Sequence, residues 1–67
     1  MEMTKELHDF LFNTLGDYVS MDKIRLSGER ILVMQLFHPV IRAEIFSDFK
    51  KAKKGTKFEH YNLALLC

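Results

Sequence analysis

Apolar residues at Met3, Leu7, Leu11, Leu15 and Tyr18 recur at intervals of four, four, four and three. That is the period of one helix face, so residues 3–19 are predicted to be helical, with Phe10 beside the stripe. Thr4 is placed to cap the N-terminus, and Glu6 falls in the first turn, where the helix dipole favours a carboxylate. Gly16 is the candidate for a left-handed C-cap; the alternative is a last turn that runs on to Val19. Phe12 points roughly opposite the centre of the stripe, toward solvent or a partner.

Over residues 22–37 the period drops to two. Ile24 and Leu26 alternate with Lys23 and Arg25, and Ser27-Gly28 is a turn signal. The following run, Ile31-Leu32-Val33-Met34-Gln35-Leu36-Phe37, is apolar on both faces except at Gln35. This reads as a β-hairpin whose second strand wants cover on both sides. A short chain covers one face well and the other poorly, so the second face is expected to meet another copy or a target.

The rest of the chain admits two readings per segment. Over residues 39–54, Pro39 suits the first position of a helix capped by His38, with Ile41, Ile45, Phe49 and Ala52 as its stripe and Gly55 as its stop. The rival is a third strand from Val40, with Ile41, Ala43 and Ile45 inward; the helix is the preferred reading. Over residues 56–67, Thr56-Lys57-Phe58-Glu59 fits a capping box and Leu63-Ala64-Leu65-Leu66 is rich in helix formers, whereas Phe58 and Tyr61 also suit a strand. The expected fold is α+β: an N-terminal helix, an antiparallel β-hairpin, a second helix (or third strand), and a short C-terminal helix or strand. All of it belongs to one small domain over residues 1–67.

Composition narrows the setting. At 48% hydrophobic, the chain is a folding one. A domain of 67 residues buries only about 60% of its unfolded surface, so its stability is marginal. Cys67 is the sole cysteine, which rules out an internal disulfide and fits a reducing, cytoplasmic environment. No apolar run approaches the roughly 18–20 residues of a membrane span, and the first residues lack the pattern of a signal peptide.

Charge is unevenly distributed. Residues 1–49 carry five basic and eight acidic side chains, a net −3, while residues 50–67 carry five lysines against Glu59, a net +4. Lys50, Lys51, Lys53, Lys54 and Lys57 thus form a basic cluster flanked by Phe49, Phe58, His60 and Tyr61. Such a cluster contacts phosphates or an acidic protein surface. Equally, lysines in a last helical turn complement the dipole and keep that end solvated.

Catalytic signatures are absent from the sequence. His8, His38 and His60 match no zinc spacing, Ser20, Ser27 and Ser47 lack a nucleophile-elbow context, and the carboxylates are scattered. No metal, cofactor or enzymatic activity is therefore expected. Cys67 is a nucleophile only if the terminus docks beside a base.

The strand reading of residues 40–47, joined to a helix over 56–66, gives the order α-β-β-β-α. With Lys50-Lys51-Ala52-Lys53-Lys54, this resembles the double-stranded-RNA-binding domain, whose last helix opens on Lys-Lys-x-Ala-Lys. The lysines stand at the first, second and fifth positions, but alanine stands third. Gly55 and Thr56 interrupt the helix that the motif opens in that family, and its glycine-rich turns are missing. Some small toxin ribonucleases share that fold with a histidine on an early strand, and this chain has none between His8 and His38.

The expectation is a small non-catalytic protein that occupies a surface of a larger protein as an inhibitor, adaptor or regulator. Phe12, Met34 and Phe46 are its expected apolar contacts, and Lys50, Lys51, Lys53, Lys54 and Lys57 its steering charges. Homodimerisation through the same surface is compatible with this. The alternative is a nucleic-acid binder that contacts phosphates through the lysines.

Overall fold

Thr4 starts the first element of the computed structural model, which describes residues 4–66. Met3, at the head of the predicted stripe, and Cys67 lie outside the described residues. The Thr4 Oγ1 accepts from the Leu7 N–H at 3.2 Å, satisfying a donor that the first turn would otherwise leave open. Helix α1 then runs Lys5–Leu15 and buries Leu7, Leu11 and Leu15. It ends four residues before the expected limit. Gly16 is right-handed (φ −59°), not left-handed, and its N–H donates to the Phe12 carbonyl. A Cβ there would lie 2.5 Å from that carbonyl oxygen, so the position needs glycine for close approach, not for handedness. Tyr18, counted in the stripe, lies past the helix end and is exposed.

A single tight turn at Met21–Lys23, capped by Ser20, leads to the buried Ile24 and the short strand β1, Arg25–Leu26. Residues 27–30 reverse the chain, closed by a 3.0 Å bond from the Ser27 N–H to the Ile31 carbonyl. Strand β2 spans Ile31–Gln35 and pairs antiparallel with β1, Arg25 opposite Val33 and Leu26 opposite Leu32. This is the predicted hairpin, with a first strand shorter than the alternation suggested.

Residues 39–53 form a helix, α2 (Pro39–Lys53), as preferred. The His38 Nδ1 accepts from the Val40 N–H at 3.2 Å, and Pro39 occupies the first turn. Gly55 ends the element with φ +77°, a conformation costly for any side chain with a Cβ. The buried face differs from the expected stripe. Ile45 and Phe49 are buried, but Ile41 and Ala52 are exposed, and the half-buried positions are Arg42, Asp48 and Lys53. The Lys53 stem covers apolar surface while its head donates to the Tyr61 carbonyl.

Beyond α2 the helical alternative fails. Thr56 does not open a helix: its hydroxyl donates to the Lys53 carbonyl (2.6 Å) and accepts from the Phe58 N–H (3.1 Å), holding a turn. Asn62–Leu66 is strand β3, pairing parallel with β2 from Ile31↔Asn62 to Gln35↔Leu66. Helix propensity in Leu63-Ala64-Leu65-Leu66 loses to β2, whose second edge would otherwise have unpaired backbone groups. The sheet order is β1-β2-β3, with α2 as the crossover between the parallel strands. The order is thus α-β-β-α-β. The α-β-β-β-α arrangement behind the double-stranded-RNA-binding resemblance does not occur, because Pro39 and His38 start a helix where that family has a strand.

One apolar core lies between the sheet and the two helices. Leu32, Met34 and Leu36 point into it against Leu7, Leu11, Leu15, Ile45, Phe49 and Phe58. Phe10 braces the layer, edge-on to Phe49 at 6.1 Å and tilted against Phe58 at 4.8 Å between ring centroids. Met34 is therefore not a surface contact. It shares strand parity with Leu32 and Leu36 and is wholly buried. Among the described residues, no helix is long and apolar enough to cross a membrane.

A domain of this size has a total stability of roughly 3–10 kcal/mol. Phe49→Ala should remove about 3–5 kcal/mol of it, whereas Phe46→Ala, on the exposed side of the same helix, should change it by less than about 1 kcal/mol. Urea unfolding of the two variants measures this difference; equal losses would contradict the packing described.

Candidate functional site

Strand alternation gives the sheet a second face. Arg25, Ile31, Val33 and Gln35 point away from the helices, and the parallel register places Asn62, Ala64 and Leu66 beside them. Ile31 and Leu66 remain 37% and 43% exposed, and Val33 and Ala64 lie half-buried between them. Both helices belong to the opposite face; on this one the Met21–Lys23 turn brings Asp22 and Lys23 beside Arg25, Val33 and Gln35, and the positions of Ile31 and Leu66 stay open. The sequence reading expected one poorly covered face on this ribbon but placed Met34 on it, whereas the open positions are those of Ile31 and Leu66.

The sheet also has an open edge. The Asn62 N–H donates to the Arg30 carbonyl at 2.8 Å, and the Leu66 carbonyl accepts from the Leu36 N–H at 2.7 Å, so both residues turn their backbone groups toward β2. Residues of alternate parity turn theirs the other way. The N–H and C=O of Leu63 and Leu65 therefore face outward along the free side of β3.

Helix α2 overhangs that edge. Two hollows lie between them: one of about 320 Å³ lined by Phe46, Phe49, Lys50, Lys53, Asn62 and Leu63, and one of about 300 Å³ lined by Pro39, Arg42, Ala43, Phe46 and Leu65. Phe46 belongs to both and is 49% exposed, so the hollows form one groove along β3 with the phenylalanine at its middle. The charged side chains lining the groove, Arg42, Lys50 and Lys53, are all basic. The helix rotates about 100° per residue, which carries Glu44 and Asp48 to the other flank, toward α1. There the Tyr18 hydroxyl donates to the Asp48 Oδ2 at 2.9 Å.

The five expected steering lysines do not act as one patch. Lys53 donates to the Tyr61 carbonyl and lies 5.5 Å from the centre of the Phe49 ring, tying the connection before β3 to the helix. Lys57 is paired with Glu6 of α1 and lies over Phe58. Lys50, Lys51 and Lys54 are exposed and have no ion-pair or hydrogen-bond partner among the described residues. Phe12 and Phe46 are separated as well. Phe12 lies on the flank of α1 away from Phe10 and hence away from α2, stacked on His8 at 6.4 Å, while Phe46 lies on the flank of α2 away from α1. They face different flanks of the helical layer.

Sequence reasoning missed the groove. Pro39, Arg42, Ala43, Leu63 and Leu65 were not candidate contacts, because a groove beside β3 exists only once residues 62–66 are a strand. The signal was the alternation of Leu63 and Leu65 with Asn62 and Ala64. A second apolar cluster, also missed, surrounds the C-terminal end of β2: Phe37 is 77% exposed, and Tyr18, Val19 and Ile41 line a hollow of about 260 Å³ with it. Among the described residues, no three His, Cys, Asp or Glu side chains come together to hold a metal ion.

Asp48 holds the Tyr18 hydroxyl above its ordinary pKa of 10.0, first by accepting its hydrogen bond and then by its charge. A raised folded-state pKa contributes stability that is intact below the unfolded value and is lost as pH rises through the folded one. Thermal melts should therefore fall more steeply above about pH 10 for the wild type than for Tyr18→Phe. Parallel curves would show that the bond from the segment after α1 to α2 adds nothing.

Comparison with protein-family models, with curated proteins and with solved structures returned no match.

Proposed function

We propose that this chain is a non-catalytic binding protein that occupies a surface of a larger protein as an inhibitor, adaptor or regulator. The observation that carries this reading is the uncovered sheet face, where Ile31, Val33, Ala64 and Leu66 make an apolar strip that the helices leave open. Removing such a strip from water is worth about 25 cal/mol per Å² of apolar area, which favours association over exposure. The groove between α2 and β3 adds a second apolar surface on the same side strand. Among the described residues, no polar or charged side chain is buried. The proposed setting is the cytoplasm, where a lone cysteine stays reduced. Self-association is the competing way to cover the strip.

A second reading keeps one supporting observation: Lys50, Lys51 and Lys54 have no partner among the described residues and fall at i, i+1 and i+4, exposed at the end of α2. A phosphate backbone would find three free cations there.

Affinity capture from nuclease-treated lysate discriminates the two. The wild type should retain a stoichiometric protein partner, and the double variant Ile31→Asp/Leu66→Asp, folded by circular dichroism, should lose it. The proposal is overturned if capture disappears with nuclease and the purified chain binds a random duplex with a steep salt dependence that Lys→Ala at 50, 51 and 54 abolishes.

A further inference from the structure

We infer that the free edge of β3, together with the basic flank of α2, takes up an extended acidic segment of another protein as a fourth strand. This rests on the protein-binding reading above and names the chemistry of the partner.

Three features converge on that edge. Leu63 and Leu65 each present an outward N–H and C=O, the pattern an incoming strand needs for main-chain pairing. The strand itself carries no edge protection: between Asn62 and Leu66 there is no proline, no charged residue and no bulge, and α2 overhangs it across open hollows. The groove above it gives an added strand somewhere to place its side chains. Alternate residues of that strand would point toward α2, one meeting Phe46 at the centre and its neighbours reaching the hollows on either side.

Charge selects the occupant. Among the described residues, the α2 flank over the groove carries Arg42, Lys50 and Lys53 and no acidic side chain, so acidic side chains two residues apart on the incoming strand are complementary to it. Of the three, Lys50 is exposed and has no partner among the described residues, and it leads the recognition; the other two add to the field. The same charge opposes a second copy of this chain. Edge-to-edge pairing of two β3 strands would bring two such basic flanks together with no anion between them, and like charges set against each other are unfavourable.

The test uses a fluorescent peptide of alternating glutamate and valine, about five to seven residues long to match β3, with a lysine–valine peptide as control. Anisotropy should show saturable binding of the acidic peptide only. The amide signals of Leu63 and Leu65 should shift and become protected from hydrogen exchange, while those within β2 should not. Methylating the outward peptide nitrogens should abolish binding without altering the protein. Lys50→Glu should weaken binding about tenfold, and Leu65→Pro, which removes an N–H that the fold does not use, should eliminate it.

The inference is overturned if neither peptide binds, if both bind equally, or if binding leaves the Leu63 and Leu65 amides unchanged. It is also overturned if the chain self-associates in sedimentation and Leu65→Pro makes it monomeric, since the occupant is then a second copy. RNA that binds through Lys50 without moving those amides would mark the flank as a phosphate site and sink it as well. The two readings fail separately. A cellular partner lost with Ile31→Asp/Leu66→Asp but kept with Leu65→Pro would leave the protein-binding function standing and remove the edge.

Discussion

The structure depends on how β2 is paired. It is the central strand, and every backbone group it carries must find a partner on one side or the other. The hairpin supplies only two residues of β1, so most of the ladder has to come from β3. A parallel neighbour requires a crossover, and α2 is that crossover. The packing of α2 over Leu32, Met34 and Leu65 follows from that need, as does the place of Phe49 at the centre of the core. In a chain this short the same connection uses up the only remaining helix. One face of the sheet is sealed and the other is left to solvent.

Where the sequence was legible, a local rule and the tertiary requirement agreed. Thr4, His38 and Pro39 mark helix starts that the fold uses as written, and Gly55 marks a stop that needs positive φ. Where it misled, the tertiary requirement won. Leu63-Ala64-Leu65-Leu66 has helix-forming residues but is recruited to the open side of β2. Met34 looked like adaptable surface because a strand apolar on both sides gives no hint of which parity faces inward. Ile41 looked like core because spacings of four drift around the helix, and the face that packs runs instead through Arg42, Ile45, Phe49 and Lys53.

The candidate site follows the same division. The uncovered face could be foreseen, since it needs only the count of apolar positions on β2 and the shortness of the chain. The groove could not, since it needs β3 to be a strand and α2 to be turned by the residues that pack. The lysine cluster was visible as a block of charge, yet the block is divided: Lys53 and Lys57 brace the connection before β3, and Lys50, Lys51 and Lys54 remain open. Lysines that looked alike in sequence thus do two kinds of work, one internal and one outward.

The parallel register joins residues thirty-one positions apart in the chain, Ile31 with Asn62, and half of the intervening stretch is α2. Loop-closure entropy makes such a junction costly until the helix is in place to shorten the span. The last strand therefore cannot settle on an otherwise unfolded chain, and α2 without it has no floor beneath Phe46. Edge and overhang are two walls of one groove, so whatever unpairs β3 from β2 removes the groove together with the strand.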